Sequence, residues 1–292
     1  MSSTQLGSGV NVLDGNLGGA FDILSGSAGE NPRLGIGRRY GGASGAYSLR
    51  DIGANGGPVV NVTRSTDNER QDFSAVQVAD GTLEAFIGAG NNGTVFKWYD
   101  QSGSGKNLEG GTDVTKEPII VSNGSLITDN GKPALFCDGG QFLTIPSTGT
   151  VEAKAFYFVL NVTGGDPEVP RDVMGMRSGS VHFMRFNSSD GEQVKWNGTG
   201  HIFGSTAEDQ QIIISVDIDS SNNLRYFEDG SQSGGTKTGS TGNIKMQRFF
   251  MRTTNGSERF KGKTQELIFF DTDQSADRTD ITNEINAYYG AF

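Results

Sequence analysis

The chain has 292 residues, with 24 Lys and Arg against 34 Asp and Glu, a net charge of −10 and a pI near 4.7. Such an acidic balance excludes duplex nucleic acid as a main partner, because that partnership rests on basic side chains neutralising phosphates. No run approaches the roughly 20 apolar residues of a membrane-spanning helix, and the single cysteine, Cys137, excludes an internal disulfide.

Residues 1–45 alternate Gly-rich stretches with short apolar pieces such as Val10-Asn11-Val12-Leu13 and Phe21-Asp22-Ile23-Leu24. Pieces of this length cannot bury a core alone, and they predict an extended arm laid against another surface. From residue 46 to 292 the pattern is of short strands separated by Gly and Asn turns. Val59–Thr63 and Val95–Tyr99 are the first strands, with two helical turns predicted over Thr82–Ile87 between them. Pro118–Val121 leads into Asn123-Gly124, and Asn130-Gly131 precedes Ala134–Cys137; Asn-Gly between apolar runs is a hairpin signal. Ala155–Leu160 is apolar at every position and predicts a central strand, whereas residues 212–219 alternate and predict one face in solvent, with Asp217 and Asp219 on it. Further strands are expected at Val181–Phe186, Leu224–Phe227, Arg248–Arg252 and Glu266–Phe270. A terminal helix over Arg278–Tyr289, capped by Ser275, places Ile281, Ile285 and Tyr288 on one face and stops at Gly290. The fold class expected is all-β, a jelly-roll sandwich with an N-terminal arm and a short C-terminal helix.

The most specific word is Trp98-Tyr99-Asp100-Gln101-Ser102-Gly103-Ser104-Gly105-Lys106-Asn107-Leu108, a strand that ends in an acidic, Gly-punctuated corner. On the residues alone, Trp98 is a core side chain, and Tyr99, Asp100, Gln101, Gly103 and Asn107 form a structural motif whose side chains satisfy loop backbone groups. Together with Ala46-Tyr47-Ser48-Leu49-Arg50, Arg64-Ser65-Thr66-Asp67-Asn68 and Asn130-Gly131-Lys132-Pro133-Ala134, this word resembles the catalytic domain of fungal arabinofuranosidase B, of the concanavalin A-like lectin and glucanase class. The same words, after a Gly-rich arm and without a secretory signal, resemble a group of bacteriophage virion proteins.

A retaining glycosidase needs two carboxyl groups roughly 5 Å apart. The resemblance places the nucleophile's position on Ser178 and that of the acid/base on Thr254 or Asn255, with Glu258 close by, and the family's adjacent cysteine pair is absent. It therefore implies a scaffold without enzymatic activity: a virion structural protein made in the host cytoplasm. That protein would dock on other virion proteins through residues 1–45, act in multiple copies and require no cofactor. The alternatives are a glycan-binding module for host polysaccharide, with Trp196, Asn197 and His201 as the candidate sugar site, and an active arabinofuranosidase-type glycosidase; Trp196 also reads as a partly buried sandwich tryptophan. The two histidines, His182 and His201, have no partners at metal-ligand spacing, and no metal site is expected. Asp217-Ile218-Asp219 and Asp271-Thr272-Asp273 read as solvated faces rather than calcium loops. The seven Asn-x-Ser/Thr sequons read as by-products of composition.

Overall fold

The computed structural model describes residues 35–146, 149–164, 171–176, 181–186, 191–204, 207–251 and 259–292. Residues 1–34 of the expected arm lie outside this set, as do Ser178, Thr254, Asn255 and Glu258. The described chain is an antiparallel β-sandwich with a short C-terminal helix, as the strand and turn pattern predicts.

In the back sheet, Lys261–Phe270 is central. Gly45–Ser48 and Leu135–Asp138 pair along one of its edges. Ala155–Val162 pairs along the other, followed by Ile212–Ile218, Leu224–Glu228 and Ser231–Lys237. The front sheet starts at Arg70–Ser74 and runs through Pro58–Arg64 and Gly93–Trp98 to Leu108–Glu109 and Leu143–Thr144. It continues through Arg248–Phe249, Arg171–Gly175, Phe183–Phe186 and Gln193–Trp196 to Thr199–Ile202. The two ladders join at one corner, where Ile119 of Ile119–Ser122 pairs with Phe136.

Local chemistry explains the hairpins. Asn130 and Gly131 both take positive φ, 44° and 71°, between the paired Thr128–Asp129 and Lys132–Pro133. Asn197 and Gly198 do the same, at 50° and 87°, between Gln193–Trp196 and Thr199–Ile202. Turns with two left-handed residues match the right-handed twist of the flanking strands, and Asn and Gly are the residues that tolerate that backbone.

The interior is filled from both sheets by Tyr47, Trp98, Leu108, Leu143, Phe156, Phe158, Met174, Trp196, Phe249 and Phe269, all buried. Cys137 sits among them, and burial pushes its thiol up. A second apolar cluster lies on the outer side of the back sheet. Ala155, Tyr157, Val159, Ile213, Ile268 and Phe270 point outward there and are covered by Ile281, Ile285 and Tyr289 of the helix Arg278–Tyr289, and by Ile36 and Ile52.

This second layer corrects four expectations. Ile212–Ile218 is buried on both faces, because the helix covers the side that alternation assigned to solvent. Asp217 is fully buried there and pairs with Arg225 (2.7 Å) and Arg278 (3.4 Å). The helix turns Tyr289 inward and leaves Tyr288 half-buried, since 281, 285 and 289 share one stripe; its N-cap is Asp277, not Ser275. Finally, residues 35–45, assigned to the arm, belong to the sandwich: Ile36 is buried in the outer cluster and Gly45 opens the first strand. A short helix, Ala75–Ala79, was missed although Ser74 and Gln77 form a reciprocal capping box that the sequence displays. Among the described residues, no helix is long and apolar enough to cross a membrane.

Candidate functional site

The Trp98–Asn107 corner is a clamp made of ordinary hydrogen bonds. Asp100 Oδ1 accepts from the backbone N–H of Ala46 and of Ser102, each at 3.0 Å, and Oδ2 accepts from the Ser104 hydroxyl at 2.7 Å. Gln101 is buried; its Oε1 accepts from Ile52 and Gly53 N–H, and its Nε2 donates to the carbonyls of Ser48 and Arg50. Asn107 Oδ1 accepts from Asp100 N–H, and Gly103 supplies a φ of 89°. These groups tie the first strand and the 49–53 loop to the front sheet. Apart from the Asp100 bond with the Ser104 hydroxyl, these side chains spend their polar capacity on backbone, so Asp100, Gln101 and Asn107 have little left for a ligand.

Of the candidate sugar site, only Asn197 reaches the surface. Trp196 is fully buried; its indole N–H donates to Gly242 O at 3.0 Å, and its ring packs 6.3 Å from that of His201, itself buried. The physical reason is strand alternation. Val194, Trp196 and His201 point to the sandwich interior, while Gln193, Lys195 and Ile202 point out. A tryptophan on the inner face cannot stack on a saccharide, and this site is withdrawn. His182 Nδ1 accepts from Asn197 N–H at 3.2 Å, and burial lowers the pKa of both histidines.

Among the described residues, the outer side of the front sheet around Gly93–Trp98 carries no covering helix. Register places one transverse row across it, Asp72, Asn61, Lys97, Glu109 and Thr144, which ends at the buried Arg248. The row's first half carries two rings. Tyr99 donates its hydroxyl to Asp72 Oδ1 at 2.8 Å, and Asn61 Nδ2 donates to the same oxygen at 2.6 Å. Lys97 Nζ pairs with Glu109 at 2.8 Å and lies 5.5 Å from the Tyr99 ring centre. Beside them the Arg70 guanidinium lies 3.5 Å from the centre of the Phe96 ring. Glu117 fixes that guanidinium from below. Its side chain is wholly buried, accepts from Arg70 (3.1 Å) and from the Thr94 hydroxyl (2.6 Å), and burial raises its pKa. Glu117 is a pedestal and does not reach solvent. The groups on the outer side are Tyr99, Phe96, Asp72, Asn61, Lys97, Glu109 and Arg70, with the Arg70 guanidinium over the Phe96 ring.

This is a set of flat rings bordered by charged and amide groups whose positions are fixed by one another. Rings offer apolar faces, and the bordering oxygens and nitrogens offer paired donors and acceptors. The sequence signal for it was present in outward positions of Gly93–Trp98, but which side of the sheet stays uncovered is a tertiary fact. Among the described residues, no group of three His, Cys, Asp or Glu side chains is placed to hold a metal.

No family model and no curated protein matches the chain. Solved structures do. A GH54 α-L-arabinofuranosidase soaked with a cyclic sulfate inhibitor superposes with a TM-score of 0.62 at 17% identity, covering 84% of this chain and 63% of that one. An arabinofuranosidase complexed with arabinofuranosyl-α-1,2-xylobiose gives 0.62 at 16% identity, covering 84% and 62%. The fold is the arabinofuranosidase sandwich. The chain spans a little under two thirds of the length of these enzymes. The expectation of a scaffold with no enzymatic activity is corrected by this finding: the structures that share the sandwich over most of the chain are glycosidases. The positions on which that expectation rested, Ser178 and 254–258, lie outside the described residues.

Proposed function

We propose that this domain is carbohydrate-directed and binds a saccharide on the outer face of the front sheet, at Tyr99, Phe96 and the polar groups around them. The observation that carries the reading is the asymmetry of the two outer faces. The back one is apolar and covered by a helix, and the front one presents two rings among interlocked Asp72, Asn61, Lys97 and Glu109 side chains. The arabinofuranosidase fold supports the same class of ligand. It also makes arabinofuranosyl glycans the first to test, since similar structures hold an arabinofuranosyl xylobiose and 4-nitrophenyl α-L-arabinofuranoside. The expected virion setting, with docking through residues 1–45, is one on which neither the fold nor the comparisons bear.

The test is a glycan array with the full chain, alongside release of 4-nitrophenol from 4-nitrophenyl α-L-arabinofuranoside. Tyr99→Ala is expected to abolish glycan retention at a modest cost in melting temperature, because Tyr99 is half-buried and belongs to neither apolar core cluster. Array binding that survives both Tyr99→Ala and Phe96→Ala, or no retained glycan at all, overturns the reading.

A further inference from the structure

Asp129, Asn130, Asn161, Asp209, Gln210 and Gln211 line a polar cavity of about 390 Å³ beside Gly290 and Ala291, at the C-terminal end of the helix. Its chemistry follows from which way each amide is turned. Gln265 Nε2 donates to the backbone carbonyls of Asp129, Lys132 and Pro133, so Gln265 Oε1 is the acceptor toward Gln211 Nε2. That leaves Gln211 Oε1 facing Asn130, whose Nδ2 donates to it at 3.2 Å and also to the carbonyls of Tyr289 and Gly290, each at 3.0 Å. Asn161 Nδ2 in turn donates to Asp129 Oδ1 at 3.2 Å. The amide N–H₂ groups of Gln265, Gln211, Asn130 and Asn161 are each engaged with a neighbour.

What is left over is oxygen. Asp129 is 9% exposed, and its Oδ2 is buried with no hydrogen-bond partner among the described residues. Asp209 Oδ1 accepts from Gly164 N–H at 2.9 Å, and its Oδ2 accepts from no hydrogen-bond donor among the described residues. The carbonyl oxygens of the Asn130 and Asn161 side chains accept nothing there either. The last carbonyls of a 12-residue helix add partial negative charge. The charged groups nearby are already committed. Lys263 Nζ approaches the other oxygen of Asp129, at 3.4 Å, and Glu208 pairs with Arg171. A buried carboxylate oxygen without a donor is costly unless something supplies positive charge.

We propose that this cavity is a binding site for a hard divalent cation of the calcium type. The oxygens left without donors call for a donor or a cation, the exposed Gln210 amide can turn its own oxygen toward a cation among them, and calcium takes six to eight oxygens, from carboxylates, amide carbonyls and water, in flexible geometry. Magnesium demands a tight octahedron and fits a roomy, irregular cavity poorly. The site uses two carboxylates and amide oxygens, consistent with the absence of three convergent carboxylates among the described residues. It is independent of the saccharide reading, because it shares no residue with the front-sheet face.

The test uses the full chain stripped with a chelator, then titrated with CaCl₂ by calorimetry and followed by thermal melting. Expected are saturable binding and a melting temperature that rises with CaCl₂, with MgCl₂ much weaker. Asp209→Asn is the informative variant. Asp209 is exposed at φ 58°, a backbone Asn tolerates, and Asn keeps the acceptor for Gly164 N–H, so the fold is retained. Removing that charge should weaken calcium binding about tenfold or more, since ligand charge sets affinity at such sites. Asp129→Asn should do the same and, by relieving a buried charge, not lower the calcium-free melting temperature. No heat and no melting shift at about 10 mM CaCl₂, well above the weakest sites of this kind, overturns the proposal. So does an unchanged response in both variants.

Discussion

At the scale of single residues, polar side chains in this protein are spent on backbone. Gln101 makes four such bonds from a buried position. Gln101→Ala would strand the buried Gly53 N–H and remove a partner from Ile52 N–H and from the carbonyls of Ser48 and Arg50, with Ile52 N–H keeping its bond to Arg50 O, and a loss of about 2 kcal/mol or more is expected in urea denaturation. Trp196 illustrates the opposite limit. Because it fills the core, Trp196→Ala should cost about 3–5 kcal/mol and lower the melting temperature, where a sugar platform would leave it unmoved. The buried histidines set a pH dependence. Burial first, then Lys245 for His182 and Lys237 for His201, hold both below the ordinary 6.5. The unfolded chain therefore takes up protons before the folded one. Their contribution is full above about pH 6.5 and is lost as pH falls through the lowered folded values. Melting temperature should drop over that window, and His182→Asn, which keeps an acceptor for Asn197 N–H, should shallow the drop. A flat profile from pH 7.5 to the lowered range would refute it.

At the scale of elements, the C-terminal helix is held by more than its apolar stripe. Ile281, Ile285 and Tyr289 are buried, each worth about 1.5–3 kcal/mol. Beneath them Glu266, with no exposure, takes two bonds from Arg50, at 2.8 and 2.9 Å, one from the Ser48 hydroxyl at 2.8 Å and one from Tyr289 at 3.2 Å. Arg50 also lies 4.6 Å from the centre of the Tyr288 ring. Removing Arg50 leaves a buried carboxylate without its counter-charge. Arg50→Ala should destabilise by about 3–5 kcal/mol, and Arg50→Lys should recover only part, since an ammonium cannot match the two-pronged contact. The hairpins behave differently. Their turns are set by two residues each, so Asn123-Gly124 and Asn130-Gly131 were legible without any knowledge of neighbours, whereas the Asn197-Gly198 turn and its two strands were found only in the structure.

At the scale of the whole molecule, function follows from which surfaces the packing leaves uncovered. Both sheets have outward residues. A helix made of the last residues covers one side, and the rings and charges of the other stay available. The saccharide test and the calcium test address sites that share no residue and can fail separately. The strand pattern, the Asn-Gly turns, the central apolar strand and the terminal helix were all readable in the sequence, because each depends on period or backbone preference within a few residues. The burial of Asp217, the inward turn of Tyr289 and the inclusion of residues 35–45 in the sandwich were not. Each depends on what another segment, distant in sequence, lays against it. The cavity residues Asp129, Asn161 and Asp209 are likewise brought together only by the sheets and the helix end. Alternation tells that a strand has two faces; only the tertiary structure decides which face meets water, because that choice is made by the layer packed on top.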